Sequence, residues 1–544
     1  MTTQGLPPLM PAEEMIMAIT TPKTDSASTE YDRRWWILGV LCFSLLVIVL
    51  DNSILNVAIP TIIRDLKATN SQLQWIVDSY TIVFAGLLLT AGAMGDKFGR
   101  RKALQAGLVI FGFGSLLAAL SSSASELIST RALMGVGAAF IMPATLSIIT
   151  NVFPPQERAK AIGIWAGVAG LGAALGPLTG GFLVEHFYWG SVFLVNLPIV
   201  VVGLIAGIVL IPESKDPTAP RLDPVGAVLS IAALSLLLFA IIEAPTEGWL
   251  QPKILGIFAA GLLLGIVFVL WERRVPEPML DMSFFKNPRF SAANGAITVV
   301  FFAMFGSIFL LTQYFQFVLG YSPLETGVRM VPFALTLMVV APTSSKVVKR
   351  FGTKTTVSLG LSIVATSLVT MAFLEVDSSY WQIVWRLMLL AVGMGLTMAP
   401  STDSVMGSLP LGKAGVGSAV NDTTRQVGGA LGVAIIGSVL ASVYGSKVSD
   451  FLTSQGAPTQ AIDAAKGSLG GANLVAAQAP SAEAAAGLLR VANSAFVDAL
   501  HWSVLVAAVP VAIGAVCVYL FLPATARSED LLEQGAEFEA EHQN

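Results

Sequence analysis

Charge is scarce in this chain: Asp, Glu, Lys and Arg make up 12% of 544 residues. Soluble globular proteins carry about 25%, so two or three water-soluble domains of this length are excluded for want of polar surface. Cysteine is scarcer still. Cys42 and Cys517 are the only two, both inside apolar runs, which excludes a disulfide framework. The three histidines, His186, His501 and His542, do not cluster, and no HExxH or nucleophile-elbow pattern occurs. Neither a metal centre nor an enzyme is expected. The stretch "GSLPLGKA" (407–414) imitates a phosphate loop, yet it ends in alanine where magnesium needs a hydroxyl and follows no strand. ATP binding is excluded. A net charge of −4 gives no reason to expect a nucleic-acid partner.

What the chain has in abundance is apolar length. Hydrophobic residues reach 54% and mean hydropathy is +0.74. Crossing a bilayer takes about 20 apolar residues, and fourteen such runs can be marked between Trp35 and Leu522. The expected fold class is an all-α membrane protein with fourteen transmembrane helices. Basic residues gather on the side of the termini: Arg33, Arg34, Lys97, Arg100, Arg101, Lys102, Arg158, Lys160, Arg273, Arg274, Lys349 and Arg350. That asymmetry predicts cytoplasmic termini for a multi-pass protein of the cell's inner (plasma) membrane.

The chain also repeats itself. "GDKFGRRK" (95–102) after the second run returns as "VKRFGTK" (348–354) after the tenth, 253 residues later. Arg131, with glycines and Pro143 behind it, returns as Arg386 with Gly393, Gly395 and Pro400. A 6+2+6 arrangement follows. It has a tail (1–34), a first half (35–212), two inserted helices with linkers (213–289), a second half (290–523) and an acidic tail (524–544). Residues 445–495 are too long for a plain connection. The stretches "TQAIDAAKGSLGGANLVAAQ" and "SAEAAAGLLRVANSAF", broken near "LGGAN" and "QAPSAE", predict an external helical hairpin.

Within the first half, Asp51, Asp78 and Arg131 lie at comparable depth, roughly 6–12 Å beneath the outer surface if the helices end with their apolar runs. Two acids and one guanidinium leave a surplus negative charge in a poorly solvated place, the composition of a proton site. The plainer reading, Asp51 cross-linking helices through Arg131, stays open, as does a simple interfacial position for Asp78 beside Trp75. The second half lacks an acid matching Asp51, since position 304 is Met. It carries Arg386, and it carries Asp403, Asp422 and Arg425 towards the terminal-side ends of its helices, where gating, capping or ligand contact are all open. Phe301, Phe305 and Phe309 form one helical stripe; with Met304 and Met394 they can supply an adaptable apolar surface or ordinary packing.

Four motifs in order resemble the major facilitator superfamily, specifically its fourteen-helix drug:proton antiporter branch (the EmrB/QacA type). "LDNSILNVAIP" resembles the first-helix motif through Asp51, Asn56 and Pro60, with Ser53 in place of threonine. "GAMGDKFGRRK" matches the loop motif at Gly92, Asp96, Gly99, Arg100 and Arg101. "LISTRALMGVGAAFIMP" matches the fourth-helix motif at Arg131, Gly135 and Pro143, with Met134 where glutamine is usual. On the fifth helix Gly163, Gly172, Gly176, Pro177, Gly180 and Gly181 follow the antiporter spacing without a miss. Small residues at this spacing allow close helix packing, and Pro177 permits a kink, so this helix is expected to seal or bend where the halves meet.

The resemblance implies a major facilitator fold and proton-coupled export of lipophilic, often cationic, compounds by alternating access. A cell's own metabolite or lipid is the alternative cargo; a channel or sensor is a further one. No cofactor is implied beyond the proton gradient. The partners implied are hydrophobic small molecules and membrane lipids, with the chain acting as a monomer.

Overall fold

The computed structural model describes residues 25–66, 70–216, 223–479 and 481–523, and all regular structure in them is helical. The expected tails lie mainly outside these ranges, and the side chains of Asn56, Pro60 and Pro177 lie outside the described ones. The first half holds α1 (Asp25–Leu66), α2 (Asn70–Phe98), α3 (Arg100–Ala119), α4 (Ala124–Val152), α5 (Pro155–His186), the single turn α6 (Ser191–Leu194) and α7 (Asn196–Leu210). A hairpin of α8 (Pro224–Glu247) and α9 (Pro252–Glu272) follows. Then come α10 (Pro288–Gln313), α11 (Pro323–Met371), α12 (Tyr380–Met406), α13 (Ala414–Ser454), two short helices α14 (Thr459–Gly467) and α15 (Leu469–Ala477), and α16 (Ala482–Phe521).

Among the described residues twelve helices are long and apolar enough to cross a membrane. One, Leu324–Met371, is two helical arms joined at Gly352, where φ is +79°. The 32-residue α5 stands outside the twelve. The expected fourteen is not reached by this count.

Gly352 lies 253 residues after Gly99, whose φ is +116°. Both glycines therefore turn the chain in the left-handed region that side chains avoid, and the repeat suggested by "FG" plus basic residues is a repeat of backbone geometry. Caps set several helix starts. Asp223 accepts from Val225 N and Gly226 N, Asn287 from Arg289 N, and Ser322 with Glu325 forms a capping box.

Three expectations about boundaries need correction. Helix α1 begins at Asp25, inside the segment expected as a tail, and runs on to Leu66. Asp51 is thus about 22 Å from the helix end at 1.5 Å per residue, because a helix continues past its apolar run wherever water satisfies its surface. The external segment is mostly helical extension: α13 reaches Ser454 and α16 starts at Ala482. The hairpin is built from the first alanine-rich stretch alone, and it breaks at Ser468, which caps α15, while Gly470 and Gly471 lie within that helix.

Candidate functional site

The first half builds its polar centre on Asp51, buried among helices whose apolar faces fill the space around it. Arg131 Nη1 of α4 donates to Asp51 Oδ2, forming a fully buried ion pair. Arg131 Nε also donates to the Ile76 carbonyl at 3.3 Å, and the guanidinium lies over the Tyr80 ring, 4.3 Å from its centroid. The other carboxylate oxygen accepts from Asn196 Nδ2 at 3.0 Å; the same amide lies 3.2 Å from Ser115 Oγ. Two helices, α4 and α7, therefore donate to the carboxylate, and α2 and α3 contact those two donors. Asp78 is half-buried on α2, two residues beyond Ile76, whereas Arg131 pairs with Asp51. Asn196, Ser115 and Tyr80 were invisible as site residues in the sequence. A lone asparagine at the entry of an apolar helix was the only available signal.

A second charged cluster ties the halves together on the side of the 95–102 loop. Asp96, at the end of α2, is buried and accepts from Arg100 Nε (3.0 Å) and Nη2 (2.9 Å). Its carboxylate also accepts from Gly415 N (2.9 Å) and Val416 N (3.0 Å), the first turn of α13 in the other half. A carboxylate there meets unpaired N–H groups and the positive end of the helix dipole. Arg100 Nη2 donates in turn to the Leu411 carbonyl at 2.7 Å. Gly92 permits the approach: a Cβ there would stand 2.5 Å from the Gly415 carbonyl oxygen. A Cβ on Gly99 would strike Glu213 at 2.4 Å, and Arg101 donates to the Ile211 carbonyl and pairs with Glu213 at 3.7 Å. The expected loop motif is one connected lock.

The glycines of α5 divide into two groups. A Cβ at Gly163 would lie 2.6 Å from the Ala341 carbonyl oxygen of α11, so this end of the helix meets the second half. Gly167 and Gly170, unnoticed in the sequence, continue that contact against Met338 and Leu337. Gly172, Gly176 and Gly180 instead face α1, at Val49, Ser53 and Ile54. The expectation that the whole motif seals the junction of the halves is corrected: its upper part packs within one half. Gly181 has only Leu324 nearby, at 3.9 Å.

In the second half, Asp422 and Arg425 form a buried pair at 3.5 Å. They lie two to three turns inside α13 and not at its end. Arg425 donates to Thr402 Oγ1 at 3.1 Å and lies over the rings of Trp165 (4.7 Å) and Phe301 (5.3 Å). Trp165 belongs to α5, so this contact also crosses the halves. Asp403 has Arg158 and Arg289 as its charged neighbours, again from both halves. Arg386 does not reproduce Arg131. It is half-exposed, donates to the Thr370 and Gln382 carbonyls and lies over the Trp385 ring. With Met304 in place of an acid, the second half kept the repeat's fold and not its ion pair. Of the aromatic stripe, Phe301 is buried while Phe305 and Phe309 are 42% and 36% exposed, leaning on Gly429 and Gly437 of α13. Met304 is half-buried, and Met394 is fully buried with no open face.

The hairpin α14–α15 sits on the second half. Tyr444 donates to the Ala465 and Ser468 carbonyls (3.1 and 3.2 Å), and Phe317 packs near Gly470. Its packing is against α13, α16 and the turn that follows α10.

The sequence is similar to transporters over most of its length. It is 37% identical over 499 residues to the multidrug efflux pump LfrA of Mycolicibacterium smegmatis, covering 92% of this chain and 97% of that protein. It is 35% identical to the tetracenomycin C resistance and export protein of Streptomyces glaucescens (77% and 78% covered). With the riboflavin transporter RibZ of Clostridioides difficile it shares 33% identity (75% and 89% covered). In fold it resembles the human organic anion transporter MFSD10 (TETRAN), with a TM-score of 0.56 at 14% identity, covering 88% of this chain and 99% of that one. The sequence profile of the Major Facilitator Superfamily matches residues 41–433. Together with the helical architecture above, this establishes that the chain is a multi-pass membrane protein belonging to the Major Facilitator Superfamily.

Proposed function

We propose that this protein is a proton-coupled antiporter that exports lipophilic, often cationic, compounds by alternating access. The observation that carries the reading is the Asp51–Arg131 pair, a buried carboxylate held by donors from two other helices. Intramembrane charge is costly to hold and by default marks a functional site. Protonation of Asp51 removes the charge that Arg131 balances, and the freed guanidinium must find another partner or approach water. Proton occupancy and helix packing are coupled in this way. The Asp96–Arg100 lock and the Arg425–Trp165 contact close one side of the molecule, and their separation opens it. A proton crossing about 100 mV releases roughly 2.3 kcal/mol, enough for an approximately 50-fold gradient per charge.

The reading includes fourteen spans arranged 6+2+6, cytoplasmic termini in the plasma membrane, and a monomer needing no cofactor, nucleic acid or enzymatic step. Cargo of the relatives' kind is supported by two named for drug or antibiotic export. RibZ, named for riboflavin, supports a metabolite as the second reading.

The test uses purified protein in liposomes with an imposed pH gradient and a panel of lipophilic cations, neutral drugs and flavins. Uphill transport that collapses with a protonophore is expected for wild type. Asp51→Asn is expected to lose uphill transport while inserting normally. An Asn variant that still concentrates substrate in response to the pH gradient would overturn the coupling role of Asp51.

A further inference from the structure

A second concentration of buried acid lies in the inserted hairpin, away from Asp51. Asp223 caps α8: its Oδ1 accepts from Val225 N (3.1 Å) and Gly226 N (3.0 Å), and its Oδ2 accepts the indole N–H of Trp271 at 2.6 Å. Glu272 ends α9 and is buried; its Oε2 accepts from Leu280 N at 3.1 Å where the chain folds back. Its Oε1 is buried without a hydrogen-bond partner. A Cβ on Gly226 would stand 2.5 Å from Asp223 Oδ2 and 2.5 Å from Glu272 Oε1. The two oxygens therefore face one another across this glycine, no farther apart than twice that distance.

Among the described residues neither acid has an ion-pair partner, and Arg273 and Arg274, next along the chain, are exposed. Charges at the same end of the helices packed on α8 are engaged elsewhere: Asp96 of α2 with Arg100, and Lys413 before α13 with Asp216. Two facing buried carboxylates with no ion-pair partner among the described residues share one proton in preference to both ionising. Asp223 already accepts three donors, whereas Glu272 Oε1 has no partner. The proton therefore belongs on Glu272 Oε1, from which the O–H can donate to Asp223 Oδ2.

We infer that Asp223 and Glu272 form a one-proton site that clasps the start of α8 to the end of α9 and opens when the proton leaves to water. The hairpin is placed to make this consequential. Helix α8 packs on α2 of the first half and α13 of the second, and Trp249 in the α8–α9 turn donates to Ser438 of α13 at 2.8 Å. The clasp stiffens a strut that touches both halves. It does not depend on the role given to Asp51.

The experiment follows thermal unfolding of the full-length protein, in an ester-free detergent, from about pH 6 to about pH 9, with infrared detection of the protonated-carboxyl C=O stretch. Stability from a shared proton is present at acid pH and lost as the pH rises. Glu272→Gln supplies a permanent N–H donor of the same shape. Its stability is expected to fall less than wild type across that range, with loss of a protonated-carboxyl band that Asp51→Asn retains. Gly226→Ala drives a methyl between the two oxygens and is expected to destabilise more at acid than at alkaline pH. The inference fails if Glu272→Gln leaves the band and the pH course of wild type unchanged, or if Gly226→Ala is equally harmful at both pH extremes.

Discussion

At the scale of single residues, Asp51 shows how a membrane protein holds an ion. One oxygen meets Arg131 and the other meets the amide of Asn196, so each face of the carboxylate has a donor from a different helix. Asn196 is fully buried, and its replacement by leucine keeps the volume while removing that donor. Leaving a buried polar group short of its partner costs about 1–3 kcal/mol, and a charged one more. Asn196→Leu is therefore expected to lower the unfolding midpoint in detergent, and Ser115→Ala, which removes only the hydroxyl beside that amide, to do so less. Equal midpoints for Asn196→Leu and wild type would mean that the Asn196–Asp51 bond contributes nothing to the site.

At the scale of elements, the glycines of α5 do unequal work. A side chain at Gly176 meets the Ser53 Cβ at 2.1 Å, whereas at Gly181 the nearest atom stands at 3.9 Å. Overpacking of a tight contact costs about 1–3 kcal/mol, sometimes more, and backbone against backbone has nowhere to yield. Gly176→Leu should force α1 from α5, disturbing the helix that carries Asp51, with transport lost and stability lowered. Gly181→Ala should behave as wild type in both assays. If the two variants are equally impaired, the motif acts through something other than close packing. The same reasoning separates Gly163, whose neighbour is α11, from the upper glycines: its enlargement strains the junction between halves and not the first half itself.

At the scale of the whole molecule, contacts between the halves gather on one side. Asp96 caps α13, Arg425 lies against Trp165, Asp403 faces Arg158, and Gly163 touches Ala341. The conformation described is the one closed on the side of the 95–102 loop. Asp96→Asn keeps the shape of the carboxylate but loses its charge, and hydrogen bonds to charged groups contribute about 1.5–3 kcal/mol each against 0.5–1.5 for neutral ones. A loss of about 1.4 kcal/mol moves a two-state equilibrium tenfold. The variant is expected to shift towards the state open on that side, read as longer spin-label distances between the ends of α2 and α13. Distances identical to wild type would assign Asp96 to folding alone.

Much of this was legible in the residues. Apolar runs announced membrane helices, because hydrocarbon admits no other open backbone structure than one whose hydrogen bonds are internal. The "FG" repeat announced Gly99 and Gly352, because a left-handed turn selects glycine locally. Asp51, Arg131 and Asp96 stood out because charge in an apolar setting is rare enough to notice. The partners of those charges were not legible. Asn196, Ser115 and the N–H groups of Gly415 and Val416 are common groups, and only the packing of distant helices makes them donors to a particular carboxylate. Nor did the spacing of glycines on α5 say which neighbour each one faces, or the repeat reveal that Arg386 had lost its acid and turned to backbone carbonyls. Local chemistry is written along the chain. Which surfaces meet is decided by three-dimensional packing, where a difference of one helical turn changes the neighbour.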